Sequence, residues 1–377
     1  MMILNKILIV LVISTVLLKF GNAQTTEIQD SIYSKNFEEY RSFSIYTPED
    51  YVKSKDSCVI MFMLDGGLHA NYVSASLNYL SQYARTIPDI IVVGIHQKKR
   101  FEELGYAPDI IMQQDCHAED FSDFIIKELY PYIEGQYRVY PFKILAGHSL
   151  GANFTLYNLM YNNDFYNAFL AISPDFTRDT MLLHKLYNFD YVQVPKNSTL
   201  FVTHEEYLFS EKEKAQLKFK SLIDTISLSF NANYKYNETV NHMSITPLGF
   251  IEGVNYIFKD YFLPKETVDN NGLDGIIDHY RQVEKKYGFK LMPDYDLLLN
   301  LAYSISFMDG RHREALDIID YCTQNYNENY MTYWVKAEVY YNMNEPEIAF
   351  ENFNKAIKLN PDDPDLQERY NTLQSRR

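Results

Sequence analysis

The chain has 377 residues, 46% hydrophobic and 23% charged, which suits one large globular domain plus a smaller one. Its formal net charge of −15 leaves no basic excess to displace counterions, which argues against nucleic-acid partners; the acidity reads as solubility. The 33 tyrosines each join an apolar ring to a wet hydroxyl, which fits a folded protein with an aromatic surface or groove and names no ligand.

Residues 1–23 read as a signal peptide. Lys6 supplies a short positive region, residues 7–18 are apolar or small, and Gly21, Asn22 and Ala23 offer the small residues that cleavage requires. The apolar stretch is short for a membrane span, so the expected product is exported, periplasmic or extracellular, without a span after cleavage; an uncleaved anchor is the alternative. The three cysteines, Cys58, Cys116 and Cys322, are far apart and form no zinc or disulfide framework, although a Cys58–Cys116 bridge stays open.

From about residue 40 to 263, apolar runs alternate with amphipathic ones. Strands are expected at 43–47, 58–64, 90–95, 142–146, 168–172, 199–203 and 233–238. Helical spacing marks 121–137, with Phe121, Phe124, Ile125, Leu129 and Ile133 on one face, and also 152–160 and 246–258. Strands alternating with helices imply an α/β fold with a mostly parallel sheet covered on both faces, whose sites lie at the carboxyl ends of the strands. Residues 24–263 would form this domain. Residues 264–272, with Pro264, Asn270, Asn271 and Gly272, read as a linker.

Residues 273–377 are helical in pattern and repeat. Ala315 and Ala349 lie 34 positions apart, where two helices must approach closely. Around the second lie Tyr333, Ala337, Tyr340, Phe353, Ala356 and Pro361; the first copy keeps Leu299, Ala302 and Gly310. This resembles the tetratricopeptide repeat. Residues 273–287 read as a degenerate opening repeat and 364–377 as a polar capping helix. The resemblance implies a surface for a protein partner or for self-association.

Gly147-His148-Ser149-Leu150-Gly151 joins a predicted strand to a predicted helix, the setting of a nucleophile elbow. Serine is a weak nucleophile until a base takes its proton, so a histidine and then an acid are required. His242 follows the last predicted strand and is the expected base. Its rival, His204, sits at the mouth of the preceding strand, and His148 is expected to point elsewhere on the elbow. Glu206 is the first choice for the acid, ahead of Glu205 and Asp175. Two backbone N–H groups should hold the oxyanion: that of Leu150, just after the serine, and that of Gly67 (alternatively Gly66) in Asp65-Gly66-Gly67, after the strand ending at Leu64.

These residues resemble the putative-esterase family of α/β-hydrolases, which includes enterochelin esterases, esterase D and feruloyl esterases. Leu64-Asp65-Gly66, the segment from Arg100 to Pro108, Glu128 to Ile133, the elbow, Ile172-Ser173-Pro174 and His242 carry the resemblance over roughly residues 40–263. Asp175 stands in place of a frequent serine, and Met243 in place of a tiny residue. The resemblance implies a serine carboxylesterase acting through an acyl-enzyme on a small-molecule ester of siderophore, feruloyl or sugar type, with no metal or organic cofactor. Acyl transfer to another alcohol uses the same groups. A catalytically idle domain that binds protein through the repeats is the reading of another class.

Overall fold

The computed structural model describes residues 26–105, 116–177, 180–206, 210–308 and 310–375. The expected signal peptide at 1–23 and the end of the Arg100-to-Pro108 segment, 106–108, lie outside them. The chain separates into two compact units, Met1–Phe262 and Leu263–Arg377.

The first unit is built on one sheet. Its strands are β1 (Thr26–Ser34), β2 (Glu39–Thr47), β3 (Cys58–Met63), β4 (Ile90–Ile95), β5 (Val139–His148), β6 (Ala168–Ile172), β7 (Thr199–Glu205) and β8 (Asn231–Asn237). They lie in the order β1-β2-β4-β3-β5-β6-β7-β8. β1 and β2 pair antiparallel, as do β2 and β4; every other pairing is parallel. The apolar runs explain this arrangement. β3, β4, β6 and β7 are buried at every position, as a parallel sheet covered on both faces demands. The edge strands are polar, β1 mostly exposed and β8 mostly half-buried, which blunts them against pairing with other chains.

Helices α1 (Gly66–Asn78), α2 (Arg100–Leu104), α3 (Ala118–Asp123), α4 (Tyr130–Gln136), α5 (Leu150–Tyr161), α6 (Thr180–Asn188), α7 (Ser210–Ile226) and α8 (Ile245–Ile257) fill the connections. A π-helical stretch, Phe124–Leu129, joins α3 to α4, so the expected helix over 121–137 is one rod with a widened middle. This is the mostly parallel α/β-hydrolase architecture expected from the sequence. No disulfide joins Cys58, Cys116 or Cys322, so the Cys58–Cys116 bridge is absent.

Every regular element described in the second unit is a helix: α9 (Lys265–Tyr287), α10 (Tyr295–Ile305), α11 (His312–Asn325), α12 (Tyr330–Asn342), α13 (Pro346–Leu359) and α14 (Pro364–Gln374). Ala302, Ala315, Ala337 and Ala349 are fully buried where helices close on one another. The stretch at 264–272 differs from the expected linker. Helix starts at Lys265, directly after Pro264, and breaks only at Gly272, whose φ of 53° and ψ of −140° suit glycine alone.

Candidate active site

Three non-glycine residues take positive φ at the carboxyl edge of neighbouring strands: Asp65 after β3, Ser149 after β5 and Ser173 after β6, at 52°, 57° and 51°. Such backbone costs about 1–3 kcal/mol per residue and persists only where its surroundings enforce it. At Ser149 the enforcement is visible. Its N–H donates to the Ile172 carbonyl at 2.9 Å, and its carbonyl accepts from Asn153 N–H at 3.1 Å. A Cβ on Gly147 would overlap the Gly151 carbonyl, so the chain turns from β5 into α5 this sharply only with glycine there. Ser149 is lifted to the rim, partly exposed.

His242 is placed by a turn. Asn241 Oδ1 accepts from the N–H groups of Met243 and Ser244, both at 3.0 Å, which fixes the loop just ahead of α8. The His242 Nδ1 stands 2.7 Å from Glu205 Oε1 and 3.0 Å from Ser173 Oγ. Glu205 is only 1% exposed. Burial pushes its carboxyl pKa up, but the hydrogen bonds with His242 and Ser173 outweigh this and hold it below the ordinary glutamate value. A buried, ionised carboxylate thus orients the imidazole.

The structure brings Glu205 to His242, not the first choice, Glu206. The β7–β8 ladder runs to Glu205, paired with Asn237, so Glu205 keeps the facing of a strand residue; Glu206, one position on, is exposed. Asp175 is engaged elsewhere, paired with Lys212 Nζ at 2.9 Å and accepting from Thr177. His204 hydrogen-bonds Tyr234 and is buried, its pKa pushed down to about 4.

Ser149 and His242 line one cleft of about 510 Å³, together with Asp65, Gly66, Gly67 and Arg100. They are not hydrogen-bonded to each other in this structure; such contacts commonly tighten only around substrate. Gly66 and Gly67 open α1, and Leu150 opens α5. Neither helix has a side-chain cap at its start. Asp65, the natural cap of α1, is drawn away by Arg100, whose Nε and Nη2 donate to its two oxygens at 2.6 and 2.8 Å. Two uncapped helix starts therefore offer free backbone donors. Gly66 is buried against the backbone of Gly94, whereas Gly67 is exposed with open space at its α-carbon.

Sequence reasoning missed the cleft's other imidazoles. His148 does not point away from the site: its ring centroid lies 4.5 Å from that of His242 and 5.7 Å from that of His69. Burial first, then the neighbouring imidazoles, push its pKa down to about 3; burial pushes His69 down to about 4. Both therefore stay neutral. The cluster joins loops far apart in sequence, so no spacing rule signals it. Among the described residues, no group of His, Cys, Asp and Glu is arranged to hold a metal ion.

This sheet and cleft define a class, the α/β-hydrolase-fold ester hydrolases. Comparison with known families makes the assignment more specific: the model of the family described as "Putative esterase" matches residues 34–223, and the chain belongs to that family. Among solved structures, an IroE-like serine hydrolase from Shewanella oneidensis superposes with a TM-score of 0.67 at 24% identity, covering 79% of this chain and 99% of that one. An uncharacterised protein from Capnocytophaga ochracea gives 0.66 at 16% identity, covering 93% and 100%. The siderophore hydrolase EstA from Aspergillus nidulans gives 0.54 at 16%, covering 64% and 97%. At these identities the likeness is one of fold. A stretch of 110 residues is 30% identical to a putative ankyrin repeat protein of Acanthamoeba polyphaga mimivirus; it covers 29% of this chain and only 14% of that protein. No helix among the described residues is long and apolar enough to cross a membrane.

Proposed function

We propose that the protein is an exported serine carboxylesterase. Ser149 is the nucleophile, His242 the general base and Glu205 the acid that orients it. The observation that carries this reading is the 2.7 Å contact between Glu205 Oε1 and His242 Nδ1 in the cleft that the strained Ser149 elbow lines. With Nδ1 turned to the carboxylate, Nε2 is the nitrogen left to take the serine proton. Ser149 Oγ then attacks the ester carbonyl and the oxyanion forms against the backbone N–H groups of Leu150 and Gly67. His242 returns the proton to the departing alcohol. Water, deprotonated by the same imidazole, cleaves the acyl-enzyme and restores the free serine.

The substrate class proposed first is a siderophore-type ester, in keeping with the activity named for the Aspergillus relative, ahead of feruloyl and sugar esters. Export rests on the charge and apolar pattern of residues 1–23. The domain limits proposed are 24–263 for the esterase part and 273–377 for a tetratricopeptide-like part, with the buried alanines as support for the repeat. That part is proposed to meet a protein partner or a second copy.

The test is labelling with a fluorophosphonate probe. Wild type should be labelled and Ser149→Ala should not, with turnover of a nitrophenyl ester falling by roughly a thousandfold or more in the variant. Failure of the wild type to label would leave the chain as a binding module.

A further inference from the structure

Ser173 has no part in bond-making as written above, and it is fully buried, so it touches no substrate. Its placement is nevertheless specific. It follows β6, the strand lying between β5, which ends at the elbow, and β7, which ends at Glu205. Its N–H donates to the Thr203 carbonyl at 2.6 Å, tying it to β7 two residues before the acid. Its φ of 51° is one that side chains rarely adopt, and glycine would take it freely. The strain keeps a hydroxyl where the simpler residue would give none. That hydroxyl reaches both members of the pair: Oγ is 3.0 Å from His242 Nδ1, and a hydrogen bond from Ser173 helps hold Glu205 ionised.

We propose that Ser173 is a positioning residue of the esterase site, its hydroxyl donating to the Glu205 carboxylate while its oxygen flanks the Nδ1–H of His242. Two oxygens then share one Nδ1–H, the nearer and charged one being Glu205. The imidazole is anchored from two strands instead of one. This matters because the His242 side chain is 36% exposed and stands in a loop, so one hydrogen bond would leave the ring room to swing. The buried carboxylate also gains a donor where water is scarce.

This inference rests on the assignment of Ser149, His242 and Glu205, and the test separates the two. Ser173→Gly and Ser173→Ala both delete the hydroxyl, but their backbone effects are opposite: glycine relieves the positive φ and alanine retains it. If the hydroxyl positions the relay, both variants should lose kcat by a similar factor, roughly ten- to hundredfold, with KM within about twofold. Their melting temperatures should differ, with glycine the higher. The downfield proton resonance of His242 Nδ1–H should move or broaden in both. Wild-type kcat in the glycine variant, an unmoved resonance, or kcat losses that track melting temperature would each overturn the proposal. Ser149→Ala, measured alongside, reports on the underlying assignment: if it stays active, that assignment fails and Ser173 is not at issue.

Discussion

His148 and His242 stand ring to ring, centroids 4.5 Å apart and planes tilted by 44°, one imidazole buried and the other at the cleft. The buried ring cannot charge cheaply, and it shares this property with His69 and His204, whose pKa values are also pushed down to about 4. The sign of the pH effect follows. Unfolded, each would titrate near 6.5; folded, each stays neutral well below that. Between these limits the unfolded chain binds more protons, so stability is full above about pH 6.5 and falls as the pH drops toward 4. Each such histidine adds about 1.4 kcal/mol of lost stability per pH unit in that window. Urea denaturation at pH 7, 6, 5 and 4 should show this slope. His148→Phe, which keeps a ring against His242, should make the slope shallower by about one proton; an unchanged slope would mean that His148 is charged in the folded protein.

The two adjacent glutamates should separate cleanly. Glu205→Gln preserves shape but turns the Nδ1 partner into a neutral amide, and kcat should fall by roughly a hundred- to ten-thousandfold. Glu206 is exposed, and Glu206→Gln should stay within about twofold. Steady-state kinetics on one nitrophenyl ester decides the matter. Equal losses in both variants would mean that the end of β7 shifts by a residue on substrate binding.

Much of the frame was legible because it is written in apolar runs: the strands expected at 90–95 and 168–172 coincide with β4 and β6. β1 was not, since Thr26–Ser34 is polar and lies exposed along an antiparallel edge, without the hydrophobic signal that a buried strand must carry. Asp65-Gly66-Gly67 read as an oxyanion-side segment, and the helix that opens there at Gly66 was not foreseen, because its close approach to Gly94 exists only in three dimensions. At the site, the elbow serine and His242 follow from order along the chain. The choice between Glu205 and Glu206 depends on the parity of a strand end, which one residue of register inverts. Ser173 and His148 reach His242 only through the sheet, and short sequence patterns do not record neighbours of that kind.

The two glycines of the elbow carry unequal burdens. A Cβ on Gly147 would overlap the Gly151 carbonyl, whereas one on Gly151 would make ordinary contacts, 3.5 Å from Asp65 Oδ2 and from Leu64 Cβ. Gly147→Ala should therefore cost about 2–3 kcal/mol or prevent folding. Gly151→Ala, in the first turn of α5, should be neutral to slightly stabilising. Thermal denaturation of the two variants tests this; similar melting temperatures would show that the elbow relaxes easily, contrary to the strain at Ser149.

The cleft wall also depends on an ion pair outside it. Arg41 on β2 and Glu103 on α2 are both buried and joined at two points, Nη1 to Oε1 at 2.8 Å and Nη2 to Oε2 at 2.6 Å. The guanidinium packs over the Phe37 ring at 4.7 Å. Glu103 shares its short helix with Arg100, which holds Asp65 at the start of α1, so the pair fixes the segment from which Arg100 reaches the cleft. Arg41→Met strands a buried carboxylate and should destabilise the first unit by about 3–5 kcal/mol. Adding Glu103→Leu removes the stranded charge and should recover most of that loss, while freeing α2 of its tether. In the double variant, stability should therefore return while KM for the ester rises, because Asp65 and the backbone beside it lose a fixed Arg100. Recovery of both stability and KM would show that α2 is placed by its apolar contacts alone and that the ion pair does not help to shape the cleft.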